Sequence, residues 1–268
     1  MSNIKENIIL ELKDISISFS RNYKKDGVEL TENRAVLKNI SLQLSKGEIV
    51  ALMGGNGSGK TTLFNIISGL IKEDSGKIFY NGNDILKLPS FKRAKLGIGR
   101  LFQDNHIFPN LSVIDNLCLS SQNTLGEFPF WSLFNNKKNK KIEDDRKRKA
   151  ENILYELFEG NNISLRNKKN RLAGELSYGE KRLLGLARIF MGKYELILLD
   201  EPSAGVNEMI INNIQNMIKK LSSTNITVFL IEHEKKFITN IADRVIYLKN
   251  GKVILNDVPS VVFTRTGV

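Results

Sequence analysis

The sequence predicts an α/β protein with a mostly parallel sheet, and three observations carry that expectation. First, short apolar or β-branched runs at residues 196–199, 226–231 and 245–248 read as strands covered on both faces. Second, Met209, Ile210, Ile214, Met217, Ile218 and Leu221 recur at helical spacing between the first two of these runs. Third, residues 48–53 (Glu-Ile-Val-Ala-Leu-Met) read as a buried strand that passes through a glycine-rich loop into a helix. That helix, over 62–68, carries Leu63, Phe64, Ile66 and Ile67 at helical spacing and stops at Gly69. Strands and helices alternate in this way when crossover helices cover a parallel sheet.

In chain order, residues 8–12 and 15–19 suggest one or two strands, the second with strict alternation. Residues 20–34 are polar, include Gly27, and read as a loop or flexible hairpin. Residues 36–44 alternate again before Lys46-Gly47 turns the chain into the strand at 48–53. Another short strand occupies 76–82. Beyond Leu88-Pro89 the pattern becomes helical and less regular, up to about Gly192. Asn250-Gly251, between apolar runs at 245–248 and 253–255, is a two-residue hairpin signal. The expected layout is one domain over 1–268. An α/β core formed by 1–103 and 176–268 is interrupted by a largely helical insertion at about 104–175.

A chain of 268 residues, 41% hydrophobic and 26% charged, can bury a full core. A lone cysteine, Cys118, excludes an internal disulfide. The longest apolar stretches (49–53, 196–199 and 228–231) are far too short to span a bilayer. Met-Ser-Asn-Ile-Lys-Glu-Asn lacks the apolar segment of a secretion signal, so the chain is expected in the cytosol. Net charge is 40 − 29 = +11, part of it in the run 137–149, with eight basic and three acidic residues. That run reads as a solvated loop and helix start, and no nucleic-acid partner is expected from it.

Residues 54–61, Gly-Gly-Asn-Gly-Ser-Gly-Lys-Thr, match the pattern G-x-x-x-x-G-K-[ST] at every position. Between a strand and a helix, such a loop lets backbone N–H groups crowd around phosphates, and the helix start adds a positive dipole end. This is the arrangement that binds a nucleoside triphosphate, ATP in this reading; the plain alternative is a glycine-rich turn. The candidate binding residues are Gly54, Asn56, Gly57, Ser58, Gly59, Lys60, Thr61 and Thr62. Lys60 would neutralise the outer phosphates, and the Thr61 hydroxyl would ligate Mg²⁺. Residues 195–201 then form a strand with two carboxylates at its end. Asp200 is placed to hold Mg²⁺ through water, and Glu201 to orient and deprotonate an attacking water.

Leu176-Ser-Tyr-Gly-Glu180, followed by a helix over 181–191, resembles the signature loop of ATP-binding cassette (ABC) proteins, usually Leu-Ser-Gly-Gly-Gln. Gln103 follows Leu101-Phe102 as in that family's glutamine loop. Ser203-Ala-Gly-Val-Asn207 stands at its dimer-contact loop, and His233 stands at its switch histidine. With the phosphate loop, these motifs keep family order across nearly the whole chain. The resemblance implies a P-loop NTPase (RecA-like) core, an N-terminal antiparallel β subdomain and an inserted helical subdomain. It implies that Ser177 and Gly179 contact the γ-phosphate of a partner subunit's ATP. Gln103 would sense Mg²⁺, and His233 would meet the γ-phosphate and the attacking water. Tyr178 and Glu180 depart from the usual Gly and Gln, while Ala204 and Asn207 depart from the usual Ser and Asp. Phe19 is the choice for the aromatic face under adenine, with Tyr23 the runner-up and a core position for Phe19 the alternative. His106 fits no motif and reads as a surface residue.

The family pattern implies two subunits that close face to face over ATP and reopen after hydrolysis. Residues 108–117 resemble the segment that, in ABC importers, helps form the groove for a membrane subunit's cytoplasmic helix. The segment 120–143 is long for the family. With Leu-Ser-Tyr-Gly, Ala-Gly-Val-Asn and Ile-Glu-His-Glu, it looks most like branched-chain amino acid and urea or amide importers. Within it, residues 128–134 hold four aromatics, either a docking patch or a cluster packed on the helical subdomain. The implied partners are a multispanning permease, a second ATPase subunit (a copy or a relative) and a substrate-binding protein, with the chain at the cytoplasmic face of the membrane. The rivals are the ATPase of an exporter or a lipopolysaccharide-extraction complex, and a soluble ABC ATPase acting on DNA or ribosomes.

Overall fold

The computed structural model describes residues 7–25, 28–102, 107–121, 136–158 and 165–267. The chain divides into two compact units. The first comprises Met1–Arg100, Tyr194–Pro202 and Ile218–Val268; the second comprises Leu101–Lys193 and Ser203–Met217.

The first unit opens with β1 (Ile8–Lys25) and β2 (Val28–Ser45), an antiparallel pair. Pairing runs outward from Phe19↔Arg34 to Lys25↔Val28, so of the two readings of 20–34, loop or hairpin, the hairpin holds: these residues are the far half of a long ribbon. The stretch is mostly polar and charged, with few apolar residues to mark a period-2 strand in the sequence. The chain continues through β3 (Ile49–Met53), α1 (Lys60–Ile67), β4 (Ser75–Tyr80) and β5 (Asn83–Asp84). Next come α2 (Ser90–Lys95) and β6 (Ile98–Leu101). The last of these is a strand within a stretch expected to be helical. Gly99 explains the missing signal: a Cβ there would lie 2.7 Å from the Ile197 side chain and 2.9 Å from the Tyr194 ring. The strand packs closely enough to exclude a side chain, so the residue that makes the contact also removes the apolar pattern.

In the second unit, α3 (Val113–Leu119), α4 (Asn136–Phe158) and α5 (Tyr178–Ile189) pack on one another. Val113, Leu117, Leu154, Leu183 and Leu184 are fully buried there. The basic run at 137–149 lies wholly inside α4, with no loop portion. It carries exposed i,i+4 pairs such as Lys147–Glu143 at 3.4 Å, which solvent screens, so they add little to its stability. Single turns of 3-10 helix at Leu165–Lys168 and Ala173–Glu175 lead into α5.

The remaining elements are β7 (Leu196–Asp200), α6 (Glu208–Ser223), β8 (Thr227–Ile231), α7 (Lys235–Ile241), β9 (Arg244–Lys249), β10 (Lys252–Asp257) and α8 (Pro259–Thr266). Two sheets organise the first unit: a four-stranded sheet ordered β2-β1-β4-β5 and a six-stranded sheet ordered β10-β9-β3-β8-β7-β6. In the larger sheet β3 runs parallel to β8 and β9, and β7 parallel to β8; β9 and β10 are antiparallel. Asn250 and Gly251 both adopt positive φ (51° and 76°), as a tight two-residue hairpin requires. The parallel strands β3 and β8 are buried throughout, and the core between the sheets centres on Phe64 and Phe229, whose ring centroids lie 5.0 Å apart. Parallel strands end together, so the C-terminal ends of β3, β7 and β8 form one edge where polar loops gather.

Candidate functional site

At that edge, β3 passes into the glycine loop. Gly54 has φ 153°, and a Cβ on it would lie 2.2 Å from the Leu248 carbonyl oxygen, so only glycine lets the loop start so close to β9. The loop ends at Gly59, which precedes α1 and offers no side-chain cap to the helix's first N–H groups. Lys60 is buried. Its Nζ donates to the Gly54 and Gly55 carbonyls at 2.7 and 3.1 Å, curling over the loop. Burial lowers the Lys60 pKa, opposed by the charges of Glu201 and Asp200. Ser58 Oγ is buried with no hydrogen-bond partner among the described residues. A buried hydroxyl without a partner, a cation and a helix start with open donors together suit a phosphate chain.

These groups line a cavity of about 390 Å³ that extends from residues 56–62 and Glu201 to Phe19, Arg34 and Val36 on the β1–β2 pair. Phe19 is 43% exposed and lies on the cavity wall, outside the core. Tyr23 sits farther out along β1, paired with Leu30. Arg34, opposite Phe19 in the ribbon, is a cavity residue that the sequence did not single out. Only the register of an extended hairpin brings it there.

The end of β7 supplies the acidic groups. Asp200 is partly buried, and its carboxylate faces the Arg100 guanidinium at 3.4 Å. Arg100 also donates to Asn65 Oδ1 (2.7 Å) and Ser68 Oγ (3.0 Å) on α1 and just beyond it. Burial raises the Asp200 pKa; Arg100 opposes the shift and Glu201 adds to it. Glu201 has φ 47°, a left-handed conformation that costs a non-glycine residue roughly 1 kcal/mol or more. Its N–H donates to the Ile231 carbonyl at 3.0 Å, which ties the turn after β7 to the end of β8. His233 follows β8, and its Nε2 lies 3.2 Å from Glu201 Oε1. The His233 N–H donates to the buried carboxylate of Glu232 at 3.0 Å. The fold thus gathers Lys60, Thr61, Asp200, Glu201 and His233 at one sheet edge. Gln103, His106 and the aromatic segment 128–134 lie outside the described residues.

The second unit carries the other candidate loop. Ser177 caps α5: its Oγ accepts from the Glu180 N–H at 3.3 Å. In return, Glu180 Oε2 accepts from the Ser177 N–H and from the Ser177 hydroxyl, both at 3.0 Å. Lys168 Nζ lies 2.5 Å from Glu180 Oε1. A Cβ on Gly179 would stand 2.8 Å from the Ile210 side chain, so packing by itself favours glycine there. Tyr178 is exposed and lies against Gly205. Asn207 Oδ1 accepts from the Ile210 N–H at 3.0 Å, a role open to asparagine and aspartate alike. Arg100 and Lys168 join Arg34 as residues that no motif marked.

A family model described as ABC transporter matches residues 37–204, well over half of the chain. A protein named "Probable ABC transporter ATP-binding protein" from Azorhizobium caulinodans is 35% identical over 84% of this chain and 73% of its own length. The high-affinity branched-chain amino acid transport ATP-binding protein LivG of Salmonella typhimurium is 33% identical over 83% of this chain and 86% of its own. Among solved structures, a nucleotide-free ATP-binding cassette from an ABC transporter matches with a TM-score of 0.75 at 28% identity, covering 97% of this chain and 96% of that one. The ADP conformation of another such cassette matches at 0.73 and 29% identity, covering 97% and 99%. This chain belongs to the ABC transporter family and is one of its ATP-binding, ATP-hydrolysing domains.

Proposed function

We propose that this chain is the ATPase subunit of a membrane importer whose cargo is a branched-chain amino acid or a related small polar solute. The 3.2 Å contact of His233 with Glu201, beside the Lys60 cradle, carries the catalytic reading. The cargo reading rests on relatives named as branched-chain amino acid transport ATP-binding proteins, which match over most of their length. Those relatives favour import over the exporter and lipid-extraction alternative.

In this reading adenine stacks on Phe19, with Arg34 beside it. The phosphates lie along Gly54, Asn56, Gly57, Ser58, Gly59, Thr61 and Thr62, and Lys60 turns from the loop carbonyls to the outer phosphates. Ser58 Oγ thereby gains the partner it lacks. Thr61, Asp200 and Gln103 would hold Mg²⁺, which when bound draws charge from the phosphate oxygens. Glu201 takes a proton from water as the water oxygen bonds to the γ-phosphorus. The bond from that phosphorus to the bridging oxygen breaks, and ADP and phosphate leave. His233 steadies Glu201 and meets the γ-phosphate.

Ser177 and Gly179 of a second subunit complete the site, so ATP binding closes a dimer and hydrolysis reopens it. That second subunit is a copy of this chain or a relative. The helical insertion at about 104–175 is the arm that meets a multispanning permease at the cytoplasmic face, and a substrate-binding protein belongs to the full system. No nucleic-acid partner is involved. Affinity purification of the tagged chain from its native membranes, with mass spectrometry, tests the transport reading. Co-purification of a multispanning permease is expected. Ribosomal proteins or DNA factors without a permease would overturn transport and leave the ATPase chemistry standing.

A further inference from the structure

The signature loop holds a charge where the usual family residue is neutral. Glu180 stands in the place commonly held by glutamine, and its side chain is only 11% exposed. Its Oε2 accepts from both the N–H and the hydroxyl of Ser177, the group that would face a partner's γ-phosphate. A carboxylate one hydrogen bond behind that hydroxyl repels an incoming phosphate, and its burial limits screening by water. The same carboxylate also competes with the phosphate for the serine hydroxyl hydrogen.

Lys168 answers this charge. Its Nζ lies 2.5 Å from Glu180 Oε1, the oxygen that Ser177 does not use. The lysine closes the 3-10 turn Leu165–Lys168, which Leu165 anchors by complete burial. The cation is thus delivered from a separate, fixed segment ten residues before the loop begins to turn into α5. We propose that Lys168 is a positioning residue of the ATP sandwich. By neutralising Glu180 it weakens that carboxylate's hold on the Ser177 hydroxyl and its repulsion of phosphate, so the hydroxyl can turn to the γ-phosphate of the opposing subunit. The lysine–glutamate pair does jointly what a single neutral glutamine does elsewhere. This rests on the two-subunit site proposed above.

The test uses the full chain carrying Glu201→Gln, which is expected to accumulate the closed dimer, with light scattering recording dimer formation against ATP concentration. Lys168→Met should raise the ATP needed for half-maximal dimer about tenfold, less than breaking a fully buried pair would because the Lys168 side chain is partly exposed. Lys168→Arg should stay within about twofold of the parent. Adding Glu180→Gln to Lys168→Met should restore the parent curve, because the charge that needed an answer is gone. A merely structural lysine would not be rescued by removing its partner's charge. An unchanged curve for Lys168→Met, or a double variant as impaired as the single one, overturns the proposal. Ser177→Arg tests the underlying reading by itself. If that variant dimerises like the parent, the signature loop does not face a partner's nucleotide, and the Lys168 role falls with it.

Discussion

Arg100 and Asp200 face each other at 3.4 Å from neighbouring strands, with side chains 6% and 12% exposed. The aspartate at the end of β7 is therefore held by a cation from β6 that also reaches Asn65 and Ser68. Replacing Arg100 with Met would leave a largely desolvated carboxylate without its counter-charge. The expected outcome is a loss of about 3 kcal/mol of stability, read from urea unfolding, together with weakened Mg²⁺-dependent hydrolysis. A variant as stable as the parent would mean that the pair contributes nothing to holding this edge together.

The two halves of the chemistry separate by substitution. Glu201→Gln should keep ATP binding and lower turnover about a thousandfold, within the range of a lost general base. Substantial residual hydrolysis would remove Glu201 from that role. Lys60→Ala should instead weaken ATP binding by at least about tenfold, measured by calorimetry, because the cradle loses its cation. Unchanged affinity would contradict the phosphate-loop assignment.

Phe19 lines the cavity and is 43% exposed. Phe19→Ala should weaken ATP binding roughly fivefold to tenfold, the size of one aromatic stack, while leaving the affinity for inorganic triphosphate unchanged. Equal losses for both ligands would show that the substitution disturbs the phosphate end rather than base recognition.

Glu180 links pH to stability with a definite sign. Burial pushes its pKa up, yet the bonds from Lys168 and Ser177 and the lysine's charge together leave it below the ordinary glutamate value. The folded state thus binds this proton less readily than the unfolded state does. Its stabilising contribution is complete above the ordinary glutamate pKa and is lost as pH falls through the lowered folded value. The difference in Tm between the wild type and Glu180→Gln should therefore shrink below about pH 4. A difference that stays constant across that range would contradict the ion pair.

Much of this molecule follows from short-range rules. The strand–loop–helix unit around Lys60 is contiguous in sequence, and each position has a local reason: glycine for close approach at Gly54, a cation at Lys60, a hydroxyl at Thr61. The same holds for Asn250-Gly251, for the Ser177–Glu180 capping arrangement, and for the carboxylates that end β7. The α/β class was legible because apolar runs and helical spacing alternate along the chain, and sheet burial imposes that pattern locally.

Arg34, Arg100 and Lys168 were not legible, because no local pattern marks an isolated basic side chain. Arg34 reaches the cavity through the register of a polar ribbon, and Arg100 reaches Asp200 because β6 lies beside β7. Lys168 reaches Glu180 from a separate 3-10 turn across twelve residues of chain. The glycine loop at 54–61 and the carboxylates that end β7 are readable from residue order, since backbone geometry and residue chemistry dictate them within a few positions. Which cations face Asp200 and Glu180 is set by the fold, since charge compensation acts through space between segments that the chain order does not pair.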